Sequence, residues 1–162
     1  MITLVLGGTR SGKSEVAERL AAEHGPAVTY LATALLDPSD ADHAARIERH
    51  AARRPDGWQV QEVGGALAHH LRSTDGPVLV DSLGTWLAAH QDLDADVDAL
   101  VAALVARAAP TVVVSEEVGM SVHPPTEIGR RFQDRLGSVN QAVAHVADRA
   151  LLVVAGRTLE LS

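Results

Sequence analysis

The stretch Gly7-Gly8-Thr9-Arg10-Ser11-Gly12-Lys13-Ser14 matches GxxxxGK[ST] and constrains the fold more than any other part of this 162-residue chain. A loop of this kind cradles phosphates when an apolar strand enters it and an amphipathic helix leaves it. Both flanks are present, as Ile2 to Leu6 before the loop and Lys13 to His24 after it. Glycines at 7, 8 and 12 let the backbone curl so that several N–H groups converge on one point, and the positive end of the following helix adds to their field. Lys13 is then expected to reach the β- and γ-phosphates, and the Ser14 hydroxyl to bind Mg2+.

The rest of the chain extends this beginning into an α/β fold. Short apolar runs at Ala27 to Ala32, Val78 to Val80, Thr111 to Val114 and Leu151 to Ala155 read as buried strands. Helical spacing fills the gaps at Ser39 to Arg53, Leu83 to His90, Asp96 to Ala108 and Thr126 to Ala147. Such alternation predicts a mostly parallel sheet flanked by crossover helices. In the last helix Ile128, Phe132, Leu136, Val139, Val143 and Val146 form one apolar stripe, and Thr126 is its expected N-cap. A tight turn at Gly156-Arg157 predicts a C-terminal antiparallel edge strand.

At this length, with 46% hydrophobic residues, a single domain over residues 1–162 is expected. The net charge of −7 and the scarcity of aromatic residues argue against a nucleic-acid partner. No cysteine is present, which excludes disulfides and thiolate metal sites. The N-terminal residues lack a basic leader and no apolar run reaches membrane-spanning length, so a cytoplasmic protein without membrane insertion is expected.

Carboxylates that end strands are candidates for holding the metal. Asp81 follows Val78-Leu79-Val80 and is the first choice, with helix capping as its ordinary alternative. Glu116 and Glu117, after Val112-Val113-Val114-Ser115, compete for the role, and the order of strands in the sheet decides between them. A third feature lies between Asp42 and Arg54, where a spacing of four stacks Asp42, Arg46 and His50 on one helical face. The neighbouring Arg53 and Arg54 disfavour imidazolium, and a neutral ring nitrogen is a nucleophile near pH 7. The same spacing suits an ordinary solvated face, or a zinc pair with His43. His24, His69, His70, His90 and His145 read as surface histidines or helix flanks.

The order of short motifs is more specific than any one of them. After the P-loop come Tyr30-Leu31-Ala32-Thr33, Arg46-Ile47-x-x-His50 before Arg53-Arg54-Pro55, Glu62, and Val80-Asp81-Ser82-Leu83-x-x-Trp86-Leu87. Glu117-Val118-Gly119-Met120 and Arg131-Phe132-x-Asp134-x-x-Gly137-x-x-Asn140-Gln141 follow. Together these resemble the bifunctional adenosylcobinamide kinase / adenosylcobinamide-phosphate guanylyltransferase family of cobalamin biosynthesis, nearly end to end.

The resemblance implies a RecA-like P-loop NTPase that assembles as a homotrimer. It implies phosphorylation of adenosylcobinamide by ATP or GTP, then transfer of GMP from GTP to adenosylcobinamide-phosphate with loss of pyrophosphate. Transfer in the family passes through a histidine-bound GMP, and the matching residue is His50. By the same resemblance Thr33, Ala51, Ala52, Arg53, Arg54, Glu62 and Asp81 lie at the guanine nucleotide. The loop from Gly119 to Pro125 departs from the family's glycine-rich form, and Ala89 stands where an asparagine is common. Two other functions fit the P-loop alone: a kinase of another small molecule, and a nucleotide-sensing module without transferase chemistry.

Overall fold

The computed structural model describes residues 1–34, 55 and 57–161. The strands are β1 (Ile2–Gly7), β2 (Thr29–Ala32), β3 (Gln59–Glu62), β4 (Val78–Asp81), β5 (Thr111–Glu116), β6 (Arg149–Val154) and β7 (Arg157–Leu161). The helices are α1 (Lys13–Ala22), α2 (Leu67–Ser73), α3 (Leu83–Ala88), α4 (Val97–Val105) and α5 (Glu127–Val146), with short 3-10 turns at Gly64–Ala66 and Gln91–Leu93. The predicted helix at Ser39 to Arg53 lies outside the described residues, as do His43 and the Asp42, Arg46 and His50 face.

Seven strands form one sheet in the order β3-β2-β4-β5-β1-β6-β7. Every neighbouring pair is parallel except β6 with β7. Alternation along the strands builds a core on each face. Ile2 and Leu4 of β1, Leu31 of β2, and Val78 and Val80 of β4 pack on one side against α2, α3, α4 and α5. Val5, Tyr30 and Leu79 point the other way and meet Val16, Ala17 and Ala21 of α1. Burial on both faces is why the central strands read as continuous apolar runs.

Three expectations change in detail. The strand β3 escapes a hydropathy reading because Gln59-Val60-Gln61-Glu62 is a largely exposed edge strand. The C-terminal turn is one residue earlier than predicted: Val154 pairs with Arg157, and Ala155 and Gly156 turn the chain with φ of 51° and 74°. Two successive positive φ values match the sense of hairpin turn that a twisted sheet prefers.

The stripe on α5 is buried at Leu136, Val139 and Val143, but Ile128 is exposed. The 20-residue helix is about 30 Å long at 1.5 Å per residue. The six-residue β5 spans about 20 Å. The first turns of α5 therefore overhang the sheet. Thr126 caps the helix as expected, its hydroxyl accepting from the Gly129 N–H at 3.2 Å.

Candidate functional site

Parallel pairing aligns the strand ends into one rim. Gly7 is in register with Glu116, and Ala32 with both Asp81 and Glu62. The P-loop, Thr33, Glu62, Asp81 and Glu116 thus meet along the same edge. His50, Ala51, Ala52, Arg53 and Arg54 lie outside the described residues.

The glycines of the P-loop have different reasons to be there. A Cβ at Gly7 would strike the Ser11 hydroxyl and approach the Val153 carbonyl oxygen to 2.9 Å. Gly12 has φ of 92°, in the left-handed region, and its Cβ would come within 3.2 Å of Gly156 Cα. The Gly156 N–H also donates to the Ser11 carbonyl at 2.8 Å, so the β6–β7 turn braces the loop. At Gly8 a Cβ would meet nothing within 4 Å, and the close packing is carried by the other two glycines. The Ser11 hydroxyl accepts from the Lys13 N–H at 3.3 Å.

Lys13 is only 5% exposed. Its Nζ donates to the Gly8 carbonyl at 3.4 Å and lies 3.8 Å from Glu116 Oε1. A lysine is rarely buried unless paired, and these partners explain how this one is accommodated.

The sheet order separates the competing carboxylates. β5 is next to the P-loop strand and β4 is one strand further out. Glu116 accordingly faces Lys13, while Asp81 Oδ2 accepts from the Tyr30 hydroxyl at 2.8 Å. Glu117 turns away, and its carboxylate accepts from the N–H groups of Gly119 and Met120 at 2.9 and 3.0 Å, closing a turn in the next loop.

Three further groups tie these strand ends together. The Ser82 hydroxyl donates to Glu116 Oε1 at 2.8 Å, and the Gly84 N–H donates to Oε2 at 3.0 Å. The buried Thr33 hydroxyl bonds to the Ser82 carbonyl at 2.6 Å and accepts from the Ser82 N–H at 2.8 Å, linking the ends of β2 and β4. Asn140 of α5 accepts from the Ser115 hydroxyl at 2.6 Å and donates to the Glu116 carbonyl at 3.0 Å. Gly84 gave no chemical signal in the sequence, because its work is to hold Glu116, and Asn140 stood out there only as part of the motif from Arg131 to Gln141. Of the histidines expected at the surface, His90 is half-buried, its ring edge-on to Trp86 at 5.1 Å.

An Mg2+ ion beside a nucleotide keeps most of its water and takes one or two protein oxygens besides the phosphates. Ser14 at the start of α1 and Asp81 at the end of β4 fit that modest need. No group of three or more His, Cys, Asp or Glu residues that could hold a metal occurs among the described residues.

Residues 3–161 match the family described as cobinamide kinase / cobinamide phosphate guanyltransferase. The chain belongs to that family. It is 42% identical to the bifunctional adenosylcobalamin biosynthesis protein CobP of Pseudomonas aeruginosa, over 99% of this chain and 97% of the relative. It is 34% identical to the bifunctional adenosylcobalamin biosynthesis protein CobU of Escherichia coli and 33% identical to that of Salmonella typhimurium. Each of these alignments covers 96% of this chain and 97% of the relative. The enzyme is thus a P-loop transferase with cobinamide kinase and cobinamide-phosphate guanylyltransferase activities.

Proposed function

We propose that the chain phosphorylates adenosylcobinamide with ATP or GTP, then moves GMP from GTP to the new phosphate through a guanylyl adduct on His50. The product is adenosylcobinamide-GDP. The observation that carries the reading is the P-loop itself, a braced anion cradle whose lysine is buried beside a carboxylate at the end of the adjacent strand. Loop amides and Lys13 hold the triphosphate in both reactions, and Ser14 and Asp81 hold Mg2+, which when bound neutralises phosphate charge. His50 is chosen because it is the histidine of the Arg46-Ile47-x-x-His50 motif, followed by Arg53 and Arg54. The guanidinium groups stabilise charge on the phosphate under attack. Thr33, Ala51, Ala52 and Glu62 complete the guanine-nucleotide site, with Thr33 contributing through backbone because its hydroxyl is engaged by Ser82.

The acceptor has a place to dock. An open polar groove of about 430 Å³ is lined by Ser121, His123, Gln133, Asp134 and Gln141 among others. It lies between α5 and the loop that leaves β5, and that loop is joined to the P-loop by the Glu117 N–H donating to the Gly7 carbonyl at 3.1 Å. Donors and acceptors there suit the amide-fringed corrin ring of adenosylcobinamide, with exposed Met120 and Val122 offering apolar contact.

No helix among the described residues is long and apolar enough to cross a membrane. We place the enzyme in the cytoplasm as a homotrimer. The test is conversion of adenosylcobinamide, followed by chromatography and mass. ATP alone is expected to give adenosylcobinamide-phosphate, and adding GTP to give adenosylcobinamide-GDP and pyrophosphate. Turnover of nucleotide without either corrinoid product would contradict the proposal.

A further inference from the structure

We propose that Glu116 is the general base of the phosphorylation step, taking the proton from the acceptor hydroxyl. The inference rests on the kinase reading above and goes beyond it by naming the residue that activates the acceptor. A hydroxyl attacking a γ-phosphate must lose its proton, and the group that takes it must stand within hydrogen-bond reach of the attacking oxygen. Lys13 is the side chain that reaches the β- and γ-phosphates. Glu116 Oε1 lies 3.8 Å from its ammonium, so a carboxylate stands at the place where the transferred group is held.

The carboxylate is fixed before any substrate arrives. The Ser82 hydroxyl and the Gly84 N–H hold it from the α3 side, and the Asn140 amide holds its backbone carbonyl. Space was kept for it, since a Cβ at Gly84 would land on Oε2. Glu62 ends the edge strand β3, four places from the P-loop strand in the sheet, and two other carboxylates have different engagements. Asp81 accepts from Tyr30 one strand further from the P-loop, and Glu117 closes the turn at Gly119 and Met120. The groove proposed for the acceptor is lined from Gly119 onward by the loop that leaves β5 just beyond Glu116.

In the step, the hydroxyl proton passes to Glu116 as the oxygen forms its bond to the γ-phosphorus. The bond from that phosphorus to the bridging oxygen breaks, and its electron pair leaves with the nucleoside diphosphate. Water then takes the proton from Glu116. The guanylyl transfer makes no such demand, because a neutral ring nitrogen and an already ionised phosphate are the nucleophiles. The two activities share the P-loop and differ in needing this base.

The experiment compares Glu116→Gln and Glu116→Asp with the unaltered enzyme. It measures kcat and KM for phosphorylation across pH, the rate of GMP adduct formation by intact mass, and affinity for a fluorescent GTP analogue. Circular dichroism and a melting curve establish that each variant is folded. Loss of a general base lowers a rate by roughly 10²–10⁴-fold. Glu116→Gln is expected to lose phosphorylation kcat in that range, at least about 100-fold more than it loses in adduct formation, with KM changed little. Glu116→Asp is expected to retain part of the rate.

Parallel loss of both reactions would overturn the assignment, since it would mean that Glu116 serves Lys13 or the metal in both. Retained phosphorylation in Glu116→Gln would overturn it as well, as would selective loss of phosphorylation in His123→Ala instead. Should the unaltered enzyme form no adduct, the guanylyl-histidine reading fails on its own, and affinity for the GTP analogue becomes the reference for phosphorylation loss.

Discussion

Gly84 shows how one hydrogen atom in place of a methyl can set a catalytic position. Its N–H holds Glu116 Oε2, and its missing side chain leaves the room in which that carboxylate sits. Gly84→Ala is expected to push Glu116 off Lys13. Overpacking of this kind costs about 1–3 kcal/mol. The checks are a chemical-denaturation curve and the phosphorylation rate, and a variant with normal stability and rate would show that the carboxylate has another seat. Lys13 is simpler: Lys13→Ala removes the cation from the phosphate cradle and is expected to abolish both activities while the protein still melts cooperatively. Gly12 cannot accept a side chain without strain, both for its φ of 92° and for Gly156 lying against it.

Among the elements, the joint between α4 and β5 depends on Arg107. Its guanidinium donates to the carbonyls of Leu71, Thr74 and Gly76 at 2.6 to 2.7 Å and to the Thr111 hydroxyl at 2.9 Å, stapling the end of α2 to the start of β5. Burial lowers its pKa from the ordinary arginine value, with Asp75 opposing the shift. Hydrogen bonds from a charged donor contribute about 1.5–3 kcal/mol each at most. Arg107→Met is expected to cost about 2–4 kcal/mol in all, measured by denaturant unfolding, because solvent can reach some of the freed carbonyls. On the β6–β7 ribbon, Arg149 bonds to Glu160 at 2.9 Å and holds its carboxyl below the ordinary value, by that hydrogen bond first and by charge second. A depressed carboxyl stabilises the fold above the ordinary carboxylate range, and the effect is lost as pH falls through the lowered value. In an NMR titration Glu160 is expected to titrate below the ordinary glutamate value and to return to it in Arg149→Ala.

These elements also show what a sequence can reveal. The central strands were legible because burial on both faces leaves uninterrupted apolar runs, and α1 and α5 because their stripes have helical spacing. The edge strand β3 was not, since a half-solvated strand of Gln, Val, Gln and Glu has no such run. In the site, the P-loop was legible from local spacing alone. The pairing of Glu116 with Lys13 was not, because it depends on β5 lying beside β1, a contact between residues far apart in the chain.

At the scale of the whole molecule, the sheet gathers several chain segments into one rim, and under the proposed function that rim serves two chemistries. Phosphorylation breaks a bond at the γ-phosphorus, and guanylyl transfer breaks one at the α-phosphorus of GTP. A single cradle can do both if the nucleophile differs, a hydroxyl in the first case and His50 in the second. Two in-line displacements through a histidine adduct predict retained configuration at the α-phosphorus. The most direct test of this account is the intact mass of the protein after incubation with GTP and Mg2+. The account predicts a gain equal to one GMP, labile to acid and absent in His50→Ala; an unchanged mass under every metal and pH condition, or an adduct that persists in His50→Ala, would contradict it.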